Sequence, residues 1–451
     1  MLLRALCSVL CLGLLISTLS CKPAPKPLTE EELVGLAKQF AGFFSGGKPA
    51  EAVNMMDATM KAAMPEAKLI EAWASLTGSL GAYQPSPGTR CAEEAGYRVV
   101  YVTLAFAIAE VDMKVVFDTP GKVAGLWFGV PRVAGSGMYS PPAYASQDSF
   151  TETECVVGTG QWQLPATLTM PNGSGPFPAV VLVHGSGPND RDETVGPNKP
   201  FKDLAWGLAS KGIAVLRYEK RTRQYQGQIG DPAAFTLDQE IVDDAVCAVA
   251  LLRATDKVNP ARVFVLGHSL GGMTAPRIAA RLGAGQGGAP KGLILMAANA
   301  RDMLVLIVEQ TEYLAGLDGQ ISDTETAQLA QLRDQVSQAR AGKLKPGAAV
   351  LGASQAYWTD ILAYDQVAAA KSLDVPMLFM QGERDYQVTM EDFGLWKESL
   401  AGRAALTFKS YPALNHLFIA GEGRSNPTEY GTAGNVAREV VDDIAAWVKG
   451  L

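Results

Sequence analysis

The sequence is poor in the residues that build metal centres and disulfide frameworks. Only three histidines occur in 451 residues, and only three of the six cysteines, Cys91, Cys155 and Cys247, lie beyond residue 21. These three are widely spaced and form no CxxC pair, which argues against a zinc motif and against a disulfide scaffold, although one disulfide is open to them. Cys247 falls in a helical pattern and is expected to be buried. We therefore predict a protein without a zinc site.

Positive charge and long apolar runs are also scarce. Lysine and arginine number 39 against 46 acidic residues, a net charge of −7, which provides no basic surface for nucleic acid or anionic lipid. Beyond the N-terminus no segment is apolar for long enough to span a bilayer. The 48% hydrophobic and 19% charged residues are instead typical of a well-buried globular protein. The length predicts two or three domains.

The N-terminus has the pattern of an export signal. Arg4 precedes the apolar stretch "ALCSVLCLGLLIS", which is shorter than the ~20 residues of a membrane-spanning helix. We expect residues 1–20 to be a signal peptide and the proline-rich residues 21–28 to be a tether. Cys21 stands where bacterial lipoproteins carry their lipid-modified cysteine, so the chain is expected to be exported, either as a lipoprotein or as a plainly secreted protein.

Residues 29–132 read as a small α+β domain. Thr29 and Glu32 form a capping-box pattern at the start of a helix, and further helical stretches cover 49–64 and 66–80. The pattern then changes to alternating, β-rich segments around the turn "DTPGK". In its order of elements this region resembles the small helices-then-sheet, cone-like domains that are fused to exported bacterial hydrolases. We expect a packing, positioning or substrate-gating role for it.

The second half has the alternation of an α/β domain. A linker rich in Gly, Ser, Pro and Ala is expected over 133–147, followed by a domain over 148–451 in which apolar strands alternate with helices. That order predicts a mostly parallel, doubly wound sheet covered on both faces. More than seventy residues separate two of its strands, so we predict a helical cap over about 300–360, or else a helical excursion without function.

One motif in this domain indicates nucleophilic catalysis. The segment "GHSLG" places Ser269 between Gly267 and Gly271, after the strand "RVFVL" and before a helix. This is the G-x-S-x-G elbow, in which a strained turn lifts the serine hydroxyl above the sheet. A β-carbon at either glycine would collide with the adjoining strand or helix. We therefore predict Ser269 as the nucleophile.

A serine hydroxyl needs a base, and the three histidines leave little choice. His268 adjoins the serine and is expected to point away from its hydroxyl, and His184 ends an earlier strand. His416, shortly before the last helix, is the predicted base. Asp385 follows a strand between Ser269 and His416 in sequence, which matches the nucleophile–acid–base order of this motif. Glu383 is the rival acid, because residues two apart on an extended segment face the same way.

The remaining requirement is an oxyanion hole. One N–H is expected from Leu270, directly after the nucleophile. The second is expected from the loop "HGSG" after the strand "AVVLV", where Gly185 and Gly187 flank Ser186. We assign it to the Ser186 N–H, with the Gly185 N–H as the alternative.

Together these features resemble the α/β-hydrolase superfamily over nearly all of residues 144–451. The stretch "HGSGPNDRDE" and the strand end "RYEKR" resemble a group of bacterial serine carboxylesterases. The resemblance implies an α/β-hydrolase fold with a cap, a triad of Ser269, Asp385 and His416, and hydrolysis of short acyl esters of small molecules without metal or cofactor. The charged residues of this stretch are expected either to fix loops or to contact substrate; they are Asp190, Arg191, Asp192, Arg217, Lys220 and Arg221.

Three other functions remain compatible with the sequence. A thioesterase and a peptidase or amidase would use the same residues, although such peptidases often add a large propeller domain that this N-terminal half does not resemble. A surface-tethered binding protein on an inactive hydrolase fold is the non-enzymatic alternative. Intact residues at all three triad positions favour an enzyme.

Overall fold

A computed structural model describes residues 28–84, 88–94, 97–107, 109–129, 131, 139–226, 228, 234–285, 287–344 and 352–451. The predicted signal peptide, Cys21 and the start of the predicted linker lie outside these ranges. The chain divides into two compact units, with the division after Gly129. Within the described ranges, no helix carries an apolar stretch long enough to cross a bilayer.

The first unit begins with four helices: α1 (Glu30–Ser45), α2 (Pro49–Met55), α3 (Ala58–Ala63) and α4 (Glu66–Leu80). The predicted capping box of α1 is present, since Thr29 and Glu32 bond each other's backbone N–H groups. The prediction of a single helix over 49–64 is wrong, because the helix is interrupted at Met56. Met56 forms a bridge with Val123, and the Asp57 carboxylate accepts from the Met60 N–H and starts a new helix.

A small antiparallel sheet follows these helices, as the change of pattern predicts. Its strands are β1 (Tyr83–Gln84), β2 (Thr89–Glu94), β3 (Tyr97–Phe106), β4 (Glu110–Phe117) and β5 (Val123–Phe128), in the order β1-β3-β4-β5 with β2 also paired to β3. The "DTPGK" turn joins β4 to β5, with Gly121 at φ +86. Alternate residues of β3 and β4 are buried, so one face of the sheet forms the core of this unit.

The second unit contains eight further strands: β6 (Phe150–Val157), β7 (Leu164–Pro171), β8 (Phe177–Val183), β9 (Ala214–Tyr218), β10 (Val258–His268), β11 (Leu293–Met296), β12 (Met377–Gly382) and β13 (Leu406–Tyr411). They form one sheet in the order β13-β12-β11-β10-β8-β9-β7-β6. The strands from β13 to β9 run parallel, and β7 and β6 add antiparallel pairs at one edge. The sequence did not indicate β6, β7 or β13, in which polar residues interrupt the apolar pattern.

Helices cover both faces of this sheet, as the alternation of strands and helices predicts. Val181 and Val265 point to a core shared with α7 (Asp243–Ala254) and α8 (Leu270–Gly283). The adjacent residues Val180 and Phe264 point to the opposite core, which α5 (Pro200–Ala209) and α14 (Arg438–Gly450) close. The main fold also contains α6 (Arg221–Gln224), α13 (Met390–Ser399), a π-helical turn, Asp238–Val242, that leads into α7, and two short 3₁₀ helices, Gln147–Ser149 and Pro427–Gly431.

The long connection between β11 and β12 is helical. It carries α9 (Met303–Ala315), α10 (Asp323–Arg340), α11 (Gln355–Ala363) and α12 (Gln366–Ser372). The Ser322–Glu325 capping box starts α10, and the Ser354 hydroxyl caps α11. We refer to α9–α11 as the cap.

The described part of the predicted linker, 139–147, packs onto the second unit. The Tyr144 hydroxyl donates to the Val436 carbonyl at 2.8 Å, and the Tyr139 hydroxyl donates to the buried carboxylate of Asp203 at 2.9 Å. These bonds attach the segment to α5 and to the loop before α14.

The three cysteines beyond residue 21 are free thiols, so the disulfide that the sequence allowed is absent among the described residues. Cys91 lies on β2, Cys155 on β6 and Cys247 on α7, and each is half-buried. Cys247 is therefore less buried than its helical pattern suggested.

Candidate functional site

The candidate residues meet at the carboxyl edge of the parallel strands. Ser269 follows β10, the loop around Ser186 follows β8, Asp385 follows β12 and His416 follows β13. In a doubly wound sheet the loops at this edge come together whatever their separation in sequence, which is why ligands bind there. Ser269, Ser186 and His416 line one cavity of about 730 Å³.

Ser269 occupies the strained turn expected of a nucleophile elbow. Its backbone has φ +54 and ψ −119, a conformation that residues with a side chain rarely adopt. A β-carbon on Gly267 would overlap the Gly271 carbonyl, and one on Gly271 would overlap the carbonyls of Val183 and His184. Glycine at both positions therefore lets the first turn of α8 lie directly against β10 and the end of β8.

A buried carboxylate holds the imidazole of His416. The His416 Nδ1 lies 2.6 Å from the Asp385 Oδ2. The Asp385 Oδ1 accepts the N–H groups of Gln387 at 2.7 Å and Val388 at 3.1 Å, and the Gln381 amide donates to Oδ2 at 3.1 Å. These bonds fix the carboxylate, which favours the tautomer with the proton on Nδ1 and leaves Nε2 as the acceptor.

The rival acid faces elsewhere. Glu383 is exposed, and its Oε1 accepts from the Ser410 hydroxyl at 2.8 Å. The extended backbone of β12 ends at Gly382, and the chain then turns so that the Asp385 N–H bonds the Gly382 carbonyl at 3.2 Å. The two-residue periodicity therefore does not apply beyond Gly382, and only Asp385 reaches His416.

The loop after β8 presents two N–H groups, of which one already has a hydrogen-bond partner. The Gly185 N–H donates to the Glu193 Oε1 at 2.6 Å, so it is not available to a ligand. Within the described part of the chain, no acceptor bonds the Ser186 N–H. Leu270 is the first residue of α8, a position whose N–H has no partner within a helix. Gly187 follows at φ +89 and lines the cavity with Ser186.

The other two histidines are buried beside the site and have separate environments. His184 packs against the rings of Phe201 and Tyr218, and burial lowers its pKa to about 4. The His268 Nδ1 lies 3.0 Å from the Glu193 Oε2, and its Nε2 lies 2.9 Å from the His416 carbonyl. Burial opposes a charged imidazole, but the Glu193 carboxylate outweighs it and raises the pKa of His268. Both ring nitrogens of His268 therefore lie against groups other than the Ser269 hydroxyl.

The charged stretch around residues 190–192 fixes loops rather than lining the cavity. The Asp190 carboxylate accepts the N–H groups of Asp192 and Thr194. Arg191 binds Glu154 and Glu219, Asp192 binds Lys199 and Arg217, and Arg221 binds Asp244. None of the six predicted charged residues is among the cavity-lining residues of the described chain. Of the two expectations for these residues, loop fixing is the one that the structure supports.

The sequence did not indicate several buried groups at this site. Glu193, at φ +52, belongs to the "HGSGPNDRDE" stretch and could have been flagged as an acidic residue in a catalytic loop. Glu240 and Tyr357 also line the cavity, but no local pattern distinguishes them. The cavity wall formed by the cap is mainly apolar and includes Met303, Leu306, Ile307 and Trp358. No cluster of His, Cys, Asp and Glu side chains suited to a metal ion is present in the described ranges.

Family models match both units of the chain. Residues 180–430 match the alpha/beta hydrolase family, and residues 37–126 match a family described as a protein of unknown function, DUF3887. Esterase EstD of Thermotoga maritima is 40% identical over 397 residues, which cover 88% of this chain and 90% of EstD. The match therefore extends over both units.

Solved structures give a more distant likeness. A hyperthermophilic esterase from Pyrobaculum calidifontis is 18% identical, with a TM-score of 0.43 over 66% of this chain and 85% of that chain. Est1E from Butyrivibrio proteoclasticus is 16% identical, with a TM-score of 0.41 over 66% of this chain and 99% of that chain.

Proposed function

Since the chain belongs to the alpha/beta hydrolase family and is a hydrolase, we propose that it is a serine carboxylesterase that cleaves short-chain acyl esters. The observation that carries the proposal is the shared cavity, on which the strained Ser269 and the Asp385-bound His416 both open. The name of the T. maritima relative supports an ester substrate.

The proposed reaction has two stages. His416 Nε2 takes the proton of the Ser269 hydroxyl as the serine oxygen attacks the ester carbonyl. The N–H groups of Ser186 and Leu270 stabilise the negative oxygen of the tetrahedral intermediate. His416 then protonates the leaving alcohol, and in the second stage it activates a water that releases the acid from Ser269. Asp385 stays ionised and stabilises the imidazolium in both stages.

The size and lining of the cavity support a proposal about the kind of ester that binds. A volume of about 730 Å³ is in the range of cavities that hold whole small organic ligands. A short acyl group would fill only part of it, so we propose that the apolar wall of the cap receives the remainder of the ester. An apolar alcohol portion suits the side chains of Met303, Leu306 and Ile307.

The proposal is tested by Ser269→Ala with p-nitrophenyl acetate and butyrate as substrates. Turnover should fall about 10⁴- to 10⁶-fold, and labelling by a fluorophosphonate probe should be abolished. Ser410→Ala is the matched control, because this serine binds the exposed Glu383, away from the cavity. An unlabelled wild-type protein would support the non-catalytic binding protein instead.

Two related reactions are outcomes of the same assay. The enzyme should turn over an oxygen ester faster than the matched thioester, and an anilide should be the poorest of the three. A thioester or an anilide that reacts fastest would identify a thioesterase or an amidase with the same residues.

We also propose export and lipid attachment through Cys21. The support is the N-terminal pattern of Arg4, an apolar stretch and "TLSC". A radiolabelled fatty acid should be incorporated into the wild-type protein in a bacterial host and not into Cys21→Ala. Secretion without labelling would identify a plainly secreted protein.

A further inference from the structure

A buried lysine holds the peptide group that carries the proposed oxyanion donor. The Lys220 ammonium donates to the Gly185 carbonyl at 2.8 Å and to the Glu240 Oε1 at 2.5 Å. Lys220 has a relative exposure of 2%, which makes it one of the largest fully buried side chains of the described chain. A lysine is rarely buried to this extent unless it is paired.

The peptide plane determines what this bond does. The Gly185 carbonyl and the Ser186 N–H belong to one trans peptide group, in which they point in opposite directions. A bond from Lys220 to the oxygen therefore directs the Ser186 N–H away from the lysine. A β-carbon on Gly185 would lie 3.2 Å from the Ser269 Cβ, so this peptide group runs close beside the nucleophile.

The charge of Lys220 also affects the strength of the Ser186 N–H as a donor. A cation at the carbonyl oxygen draws electron density along the amide and makes its N–H a stronger donor, an effect that a low-dielectric interior enhances. The Gly185 N–H on the other side is held by the Glu193 carboxylate. The two buried charged groups thus fix the residue before Ser186 at both its N–H and its carbonyl.

The same lysine is connected to the cap. The Tyr357 hydroxyl on α11 donates to the Glu240 Oε2 at 2.5 Å, and the other oxygen of Glu240 binds Lys220. Tyr357 and Glu240 both line the cavity. A continuous chain of hydrogen bonds therefore runs from the cap through Glu240 and Lys220 to the Gly185 carbonyl.

We infer that Lys220 is a positioning residue, which orients and polarises the Ser186 N–H for the oxyanion, with Glu240 and Tyr357 holding the ammonium in place. This inference rests on the proposed esterase function. It predicts that Lys220 acts on the transition state, in which the oxyanion exists, and not on binding of the neutral ester.

The test is the double variant Lys220→Met with Glu240→Gln, which removes the ammonium without leaving an unpaired buried carboxylate. We expect kcat for p-nitrophenyl butyrate to fall about 10- to 100-fold, somewhat less than the loss of a direct oxyanion donor. KM should change less than about two-fold, because only the transition state is affected. The affinity for a trifluoromethyl ketone, whose adduct with Ser269 carries the same negative oxygen, should fall in parallel with kcat.

The neighbouring ion pair supplies the matched control. Arg221 and Asp244 are similarly buried, and among the described residues their side chains make no hydrogen bond to the loop after β8. Arg221→Met with Asp244→Asn should keep kcat within about two-fold of wild type. This should hold even if its melting temperature falls by as much as that of the Lys220 double variant. An equal loss of kcat in this control, or an unchanged kcat in the Lys220 variant, would overturn the inference.

Two further measurements apply if the double variant does not fold or if the wild-type protein hydrolyses no ester. If the double variant does not fold, Lys220→Gln with Glu240→Gln retains a neutral donor and should still lower kcat about five-fold or more. If the wild-type protein hydrolyses no ester, the proposed function fails. The inference about Lys220 is then judged by the rate of fluorophosphonate labelling of Ser269, which should still depend on Lys220 and not on Arg221.

Discussion

The imidazole of His416 and the carboxylate of Asp385 are joined by a 2.6 Å bond between Nδ1 and Oδ2, although 31 residues separate them in the chain. Both side chains are buried, and the second carboxylate oxygen is occupied by the N–H groups of Gln387 and Val388. This pair gives the predicted base a fixed orientation before any ligand binds.

Substituting each of the two carboxylates by its amide should show whether Asp385 or Glu383 acts as the acid of the triad. Asp385→Asn should lower kcat about 10³- to 10⁴-fold, because an asparagine stabilises neither the required tautomer nor the imidazolium. Glu383→Gln should stay within about two-fold of wild type, since Glu383 binds Ser410 at the surface. Steady-state kinetics with p-nitrophenyl butyrate measure both, and a larger loss in Glu383→Gln would transfer the role to that residue.

The elbow can be tested with two glycines of the same helix. Gly271→Ala should lower activity by at least about 100-fold, because the new methyl group would overlap the Val183 and His184 carbonyls and displace Ser269. Gly283→Ala, at the other end of α8, has room for a methyl group 3.8 Å from the Ala289 Cβ. It should stay active and gain about 0.5–1 kcal/mol of stability. Active-site titration together with thermal melting distinguishes the two, and full activity in Gly271→Ala would contradict the tight contact.

The buried pair of Glu193 and His268 should contribute strongly to stability. Glu193→Gln leaves His268 without its carboxylate, and breaking a buried pair in this way costs about 3–5 kcal/mol. Adding His268→Gln should restore part of that loss, since no uncompensated charge remains. Urea unfolding of the two single variants and the double variant measures the coupling. Strictly additive effects would show that the two side chains do not interact.

His184 should make the protein sensitive to acid. Its pKa is lowered to about 4, whereas an unfolded histidine titrates near 6.5. Between these values the unfolded chain binds a proton that the folded chain does not, so the free energy of unfolding falls as the pH drops from about 6.5 to 4. The difference corresponds to about 3 kcal/mol, which is fully present above pH 6.5.

Removal of this histidine is the measurement for that pH dependence. In urea unfolding at several pH values between 7 and 4, the stability of His184→Gln should decline less steeply with acidification than that of wild type. All other titrating groups are common to both proteins and cancel in the comparison. Two parallel curves would show that His184 does not carry the effect.

Much of the candidate site could be predicted from local sequence patterns. The elbow needs only a strand, two glycines and a serine within a few residues, so Ser269, Gly267 and Gly271 were identifiable from their neighbours. Scarcity of histidine pointed to His416. The helix-to-sheet order of the first unit and the strand–helix alternation of the second are likewise local signals, which explains why both architectures were predictable.

Local patterns failed for one helix and three strands. The helix expected over 49–64 breaks because Met56 pairs with Val123, a contact with a residue far along the chain. The strands β6, β7 and β13 were missed because they lie at or near the sheet edge, where polar residues interrupt the continuous apolar pattern of its centre.

By itself the sequence indicated the candidate nucleophile Ser269, the candidate base His416 and the alternation that builds a covered parallel sheet, because each depends on residues close together in the chain or on a residue type that is rare. Tertiary structure alone showed that Glu383 bonds Ser410 at the surface and assigned the Gly185 N–H to Glu193. It also brought Lys220, Glu240 and Tyr357 together from three distant segments. The physical reason is that a buried charge is stable only beside its partner, and the identity of that partner depends on which loops the folded sheet brings to one edge.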